Sequence, residues 1–320
     1  MYLYDSPAPA RVEPHPFTCD SDKLAQVLSV NGAQILDVCR HGDGFALAAG
    51  CGGIVLTDRQ FGIRRTIATD GCCCAVRCAG KYVFSAESSA GFAVYEIGDG
   101  KAERISSTAF DYPVTQIELA PNDSFAVLGG GCGAVYAVDL KDIRNIKKVA
   151  ERRRKRGLLY GDNFASHPLS DGTVILFWHR DGLVYYNPEK FDGFREIFYR
   201  KRRGFMGFGP QSGIDTDGER IYVNIDGGMA VLPMDENVFA DELENHAPEA
   251  AINGKFILYG HKIYACERAK GEITVTDLSD PSRPRSLLRI TTDASCGKPV
   301  EIDGKIYIPA SHFGLLRLDV

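Results

Sequence analysis

Four consecutive residues, Trp178-His179-Arg180-Asp181, carry the densest chemistry in the chain. A Trp face stacks on a sugar ring or a base, an Arg pairs a carboxylate or phosphate through two parallel hydrogen bonds, and a His moves a proton near neutral pH. Side chains alternate along a strand, so at most two or three of the four can face one pocket. The plainer reading packs Trp178 internally and leaves Arg180-Asp181 as a turn pair. Two basic stretches flank the cluster. Eight Lys or Arg fall within residues 144–156, Arg154 among them, and Arg200-Lys201-Arg202-Arg203 follows further on. On one rim they would make a positive patch suited to an anionic ligand; on separate strands they are solvated surface charge. The expected ligand-binding set is Trp178, Arg180, Arg203, Gln211 and Arg154. For an enzyme, the proton-transfer candidates are His179, Tyr160 and His312.

Metal and cofactor chemistry find little support. Seven His are present, none paired at ligand spacing within one element. A metal would need His167, His179 and His312 to converge with Gln211 across separate loops, so neither metal nor cofactor is expected. Motifs for a nucleophile elbow, a zinc protease helix or a calcium loop are missing. The glycine-rich Gly204–Gly213 leads into another strand rather than a helix N-terminus, which removes its appeal as a phosphate cradle.

The ten Cys include the run Cys72-Cys73-Cys74 with Cys78 close behind. On a strand, Cys72, Cys74 and Cys78 share one face and Cys73 takes the other. Without a CxxC knuckle they read as small buried residues, and Cys51 and Cys132, beside repeated glycines, as fillers of tight space. A long chain able to bury a large core has little need of disulfides, so reduced cysteines and a cytoplasmic location are expected. The net charge of −5 gives no global attraction to nucleic acid or anionic membrane, and no apolar run is long enough to span one.

These residues must be positioned by a repeat. Gly271-Glu-Ile-Thr-Val-Thr-Asp is a glycine followed by an alternating strand, and weaker copies start at Gly53, Gly91, Gly133, Gly182, Gly228 and Gly314. Successive glycines stand 38 to 49 residues apart, the period of a four-stranded unit. Ahead of each lies a second strand with its own turn, at Asp43-Gly44, Ala79-Gly80, Asn122-Asp123, Asp171-Gly172, Asp217-Gly218, Tyr259-Gly260 and Asp303-Gly304. From turn to glycine is always 9 to 11 residues. An inner strand precedes each turn, as in Gln34-Ile-Leu-Asp-Val38, Ala75-Val-Arg-Cys78 and Thr115-Gln-Ile-Glu-Leu119, and an outer strand follows most glycines. The last copy lacks an outer strand, and Lys23–Val30 has no unit of its own. Pairing the two closes the ring and hides an edge. The expected fold is therefore all-β, a seven-bladed β-propeller of four-stranded blades, its last blade made of three strands plus one from the N-terminal part. Residues 1–22, with four prolines, form an extended arm, and 23–320 a single domain.

Gly271-Glu-Ile-Thr-Val-Thr-Asp-Leu-Ser-Asp-Pro-Ser-Arg-Pro284 resembles the unit of the LVIVD-repeat propellers, and Gly133-Ala-Val-Tyr-Ala-Val-Asp-Leu-Lys-Asp142 is similar, with Ile143 in place of proline. The resemblance implies a propeller and no particular activity. Two functions follow as expectations. One is a binding module whose loop face around blade four takes an anionic small molecule, an acidic glycan or an acidic protein segment. The other is an enzyme on uronate-containing oligosaccharides, a lyase above all, with Arg neutralising the carboxylate and Tyr160 or His179 removing the α-proton.

Overall fold

Short runs of β-branched, aromatic and small apolar residues make the middle strands of the blades, which are buried along most of their length. The computed structural model describes residues 16–98, 100–153, 164–178, 182–198, 213–225, 228–234 and 252–320. Among them are twenty-seven strands, β1 to β27 in chain order, and one short 3-10 turn at Gly131–Gly133. They form seven antiparallel sheets around one axis, the blades of a propeller. Six sheets have four strands; blade 5 shows three among the described residues.

The innermost strands, in blade order, are β2 (Asp37–His41), β6 (Ala75–Ala79), β10 (Val114–Leu119), β14 (Phe164–Pro168), β18 (Ile214–Thr216), β21 (Lys255–Tyr259) and β25 (Val300–Ile302). Each starts at the end of the ring where blade connections arrive, here called the loop face. Each ends at the opposite turn face, where the tight turns such as Asp43-Gly44 stand.

The expected closure is present. β1 (Leu24–Leu28) pairs antiparallel with β27 (Leu315–Leu318), Leu24 opposite Leu318 and Leu28 opposite Leu315, as the outer strand of blade 7. The repeat glycines explain themselves here. Gly53 has φ +79°, and a Cβ on it would lie 2.1 Å from the carbonyl oxygen of Ile67 on the outer strand of its blade. Gly314 has φ +81°, and its Cβ would lie 1.9 Å from the carbonyl oxygen of Leu28. Only glycine admits both the conformation and the approach, and in blade 7 the approaching carbonyl comes from β1.

Apolar faces of neighbouring blades pack on each other. Val38, Phe45, Leu47 and Val55 of blade 1, for example, meet Ile302, Tyr307 and Leu315 of blade 7. Residues 16–22 of the expected arm lie along β24 (Arg285–Thr291) and the connection after it. Cys19 bridges Thr292, and the Thr18 hydroxyl donates to Asp293 Oδ2 over 2.7 Å.

One expectation about cysteines fails. Cys51 and Cys72 are joined as a disulfide, with Cα atoms 4.4 Å apart. Gly50 and Cys73 exchange two backbone hydrogen bonds, of 3.0 and 2.9 Å, between the loop-face turn of blade 1 and the connection into blade 2. That pairing brings the flanking residues 51 and 72 together within disulfide reach. Cys73 and Cys74 are buried, as small packing residues should be. No helix among the described residues is long and apolar enough to cross a membrane.

Candidate functional site

The blade register defines a ring of equivalent positions on the channel. Four residues beyond the second turn residue, each second strand faces one residue of its inner strand. These residues are Asp37, opposite Ala48; Arg77, opposite Phe84; Glu118, opposite Val127; Ser166, opposite Leu176; Asp215, opposite Tyr222; and Ile257, opposite Tyr264. In blade 7 the place falls at Pro299, just ahead of β25. Thus blades 1 to 5 put a polar or charged side chain on the ring and blades 6 and 7 an apolar one.

The polar members bond to one another from blade to blade. Arg77 Nη1 donates to Asp37 Oδ2 over 2.6 Å, and Arg77 Nε stands 3.9 Å from Glu118 Oε1. Ser166 Oγ donates to Glu118 Oε2 over 3.2 Å. His167, next in sequence to Ser166, places Nδ1 2.9 Å from Asp215 Oδ1. Backbone donors complete the belt. Asp37 accepts from Val38 N and Val76 N (3.0 and 3.1 Å), and Asp215 from Thr216 N and Leu258 N (2.8 and 2.7 Å). Burial works against the Arg77 charge, but Asp37 and Glu118 outweigh it and hold its pKa above the ordinary value. Burial likewise pushes Asp215 up, yet its bond with His167, helped by Lys298 and the Leu258 N–H, leaves it below the usual carboxylate range.

Above the belt, towards the loop face, the channel widens into a cavity of about 100 Å³. Its floor includes Asp37, Arg77, Glu118 and Ser166, and its other side carries Lys255, Arg268 and Lys298. Lys255 opens β21. Lys298 precedes β25, and Arg268 follows the second strand of blade 6, its Nε donating to Ser295 Oγ over 2.9 Å. Blades 6 and 7 thus add three cationic side chains to a cavity that Arg77 also lines. Gln116 also lines the cavity, and its Nε2 is buried with no hydrogen-bond partner. A site holding several cationic donors and an orphan N–H is built to receive oxygen acceptors.

The residues singled out from sequence fall unevenly on this frame. Arg154, Tyr160, His179, Arg180, Arg203 and Gln211 lie outside the described residues, as does the side chain of Trp178. Trp178 itself ends the second strand of blade 4 (Val174–Trp178), opposite Phe164 and Gly182. Phe164 begins β14, so Trp178 stands at the loop face. Arg153, Phe198 and Gly213, which flank the two basic connections, stand at that same face. His312 is exposed on the loop-face turn of blade 7, its Nε2 2.7 Å from Gln34 Nε2. His167 is taken up by Asp215, so these two histidines do not meet. Among the described residues no group of three or more His, Cys, Asp or Glu is placed to hold a metal ion. Glu87, in the loop-face turn of blade 2, is buried, accepting from Ser85 Oγ and Tyr95 OH over 2.5 and 2.8 Å. Attention to loops missed the belt, although its signal was in the predicted inner strands: a lone charge in each of Gln34–Val38, Ala75–Cys78 and Thr115–Leu119.

Solved structures of similar shape include a catalytically inactive virginiamycin B lyase from Staphylococcus aureus with quinupristin, at TM-score 0.66 and 11% identity over 95% of this chain and 100% of that one. The computationally designed Ika8 protein matches at 0.62 and 12%, over 92% and 99%. BamB from Moraxella catarrhalis matches at 0.59 and 13%, over 88% and 83%. The likeness is one of fold alone. No protein-family model and no curated protein matches the chain.

Proposed function

We propose that this propeller is a binding module that takes an anionic ligand at the loop-face mouth of its channel. The observation that carries the reading is the convergence of four cationic side chains, Arg77, Lys255, Arg268 and Lys298, on one cavity. A cavity of about 100 Å³ accommodates a carboxylate or phosphate group with a few waters rather than a whole oligosaccharide. The anionic end of a small molecule, an acidic glycan or an acidic protein segment would enter it, and the body of the ligand would rest on the rim. In this reading Trp178, Arg180, Arg203, Gln211 and Arg154 supply the blade-four side of that rim. The resemblance of Gly271–Pro284 to LVIVD repeats accords with a scaffold whose specificity resides in loops and channel.

A lyase reading draws on likeness to a lyase of the same architecture, and it needs a proton-transfer His or Tyr at the cavity. None lines it among the described residues, so binding is the better supported reading. Calorimetric titration with a uronate oligosaccharide, a tricarboxylate and a nucleoside triphosphate tests it. We expect one class to bind, and Arg268→Ala with Lys298→Ala to weaken it at least tenfold. An Arg180→Ala, Arg203→Ala double variant measures the share of the blade-four rim. Unchanged affinity in the first pair would reject the channel mouth as the site.

A further inference from the structure

Deeper in the channel, on the turn-face side of the belt, the strand face that carries Asp37 continues through Cys39 to His41. From the neighbouring blade Cys78 on β6 meets it, Sγ to Sγ 3.1 Å from Cys39. All three side chains are partly buried, with an edge towards solvent. We propose that Cys78, Cys39 and His41 form a redox-active dithiol site at the seam of blades 1 and 2, one that exchanges with low-molecular-weight disulfides and closes into an interblade disulfide.

Three features separate these thiols from cysteines that merely pack. The sulfurs approach more closely than unbonded atoms of their size, which normally keep about 3.5–4 Å apart. They have unequal roles. Either sulfur can donate in the Cys39–Cys78 contact, which raises Cys39 well above the ordinary thiol range and, with His41 close by, draws Cys78 below it. His41 is raised in turn, chiefly by the nearby Cys78. The other charges bearing on the pair are Arg77 on β6, which favours the thiolate, and Asp37 on β2; Asp43 bears on His41. A thiolate beside an imidazolium is the form that attacks disulfides. The molecule also holds its own control. Cys266 and Cys296 share one buried cluster at the seam of blades 6 and 7, both are fully buried, and burial is the largest cause that raises Cys266.

The chemistry balances without a cofactor. The Cys78 thiolate attacks one sulfur of a disulfide RSSR, forming Cys78–S–S–R and releasing RS⁻, which takes the proton held on His41. Cys39 then loses its proton to the freed imidazole and attacks Cys78 Sγ. The Cys39–Cys78 bond forms and the second RS⁻ leaves, protonated by His41. Two protein thiols are oxidised and one RSSR is reduced to two RSH.

The test treats the full chain with hydroxyethyl disulfide, quenches in acid, alkylates remaining thiols and maps peptides. We expect a Cys39–Cys78 cross-link, with Cys266 and Cys296 still alkylated. Cys39→Ser should trap a hydroxyethylthio adduct on Cys78, and Cys78→Ser should leave Cys39 unmodified, each variant checked for a native circular dichroism spectrum. Pulsed alkylation of Cys78 in the unoxidised protein should show a midpoint below the ordinary thiol value of about 8.5, moved up by about one unit in His41→Asn. The proposal is overturned if Cys39 and Cys78 remain as alkylatable as Cys266 and Cys296 after the disulfide. A Cys78 midpoint at the ordinary thiol value of about 8.5, indifferent to His41→Asn, would overturn it equally.

Discussion

Asp37 in blade 1 and Asp215 in blade 5 occupy the same ring position, and each accepts the N–H of its own following residue and one N–H from the next blade. Their side-chain partners differ. Asp37 reaches forward to Arg77, which also approaches Glu118, whereas Asp215 reaches back to His167. The backbone bonds are what the shared position provides in any blade. The partner decides under which conditions the seam stays closed, because a guanidinium keeps its charge at every relevant pH and an imidazole does not.

The largest effect should come from the Arg side of the comparison. Arg77→Met leaves two buried carboxylates facing each other without a cation, and urea unfolding at pH 7 should register a loss of about 3 kcal/mol or more. An unchanged midpoint would mean that the backbone donors alone carry the belt. His167→Gln should have a smaller effect, about 1–2 kcal/mol, since Asp215 keeps Thr216 N, Leu258 N and the nearby Lys298. That loss should also depend on pH. Asp215 has a depressed pKa in the folded chain, so its contribution is complete above the ordinary carboxylate range and disappears as pH falls through the lower folded value. The gap between wild type and His167→Gln should therefore close in acid, and one that persisted after Asp215 protonates would remove the charge from the explanation. The smallest effect belongs to Ser166→Ala. It deletes one 3.2 Å hydrogen bond to Glu118 and should shift stability by about 0.5–1 kcal/mol, read from the same unfolding curves.

The fold was legible because its determinants are local and repeated. The repeat glycines Gly53, Gly91, Gly271 and Gly314 are each required by their own blade, and an offset of 9 to 11 residues from turn to glycine recurs in every hairpin. A fixed count of four residues from each turn into its second strand places Asp37, Arg77, Glu118 and Asp215 on one ring, yet nothing in a single repeat says that they touch. Their contacts join residues about forty positions apart, and depend on how one blade leans on the next. The Cys51–Cys72 bond was hidden for the same reason, since the Gly50–Cys73 bridge that aligns it crosses between blades. His312 could be named as chemically capable, but that it meets Gln34 of the first blade while His167 pairs with Asp215 follows from ring geometry and not from its neighbours in the chain.

The pairing of β1 with β27 has a consequence for biosynthesis. The Gln26 side chain donates to the carbonyl of Phe313, 287 positions later in the chain. At translation rates of about 5–20 residues per second, the first strand waits roughly 15 s to a minute for its partner to be made. Until then six blades can assemble while the ring stays open, with one apolar strand unpaired at one end and no seam yet formed between the first blade and the last. Delivery of a few leucines on β27 then turns a growing arc into a closed ring, so ring closure cannot precede synthesis of the last strand.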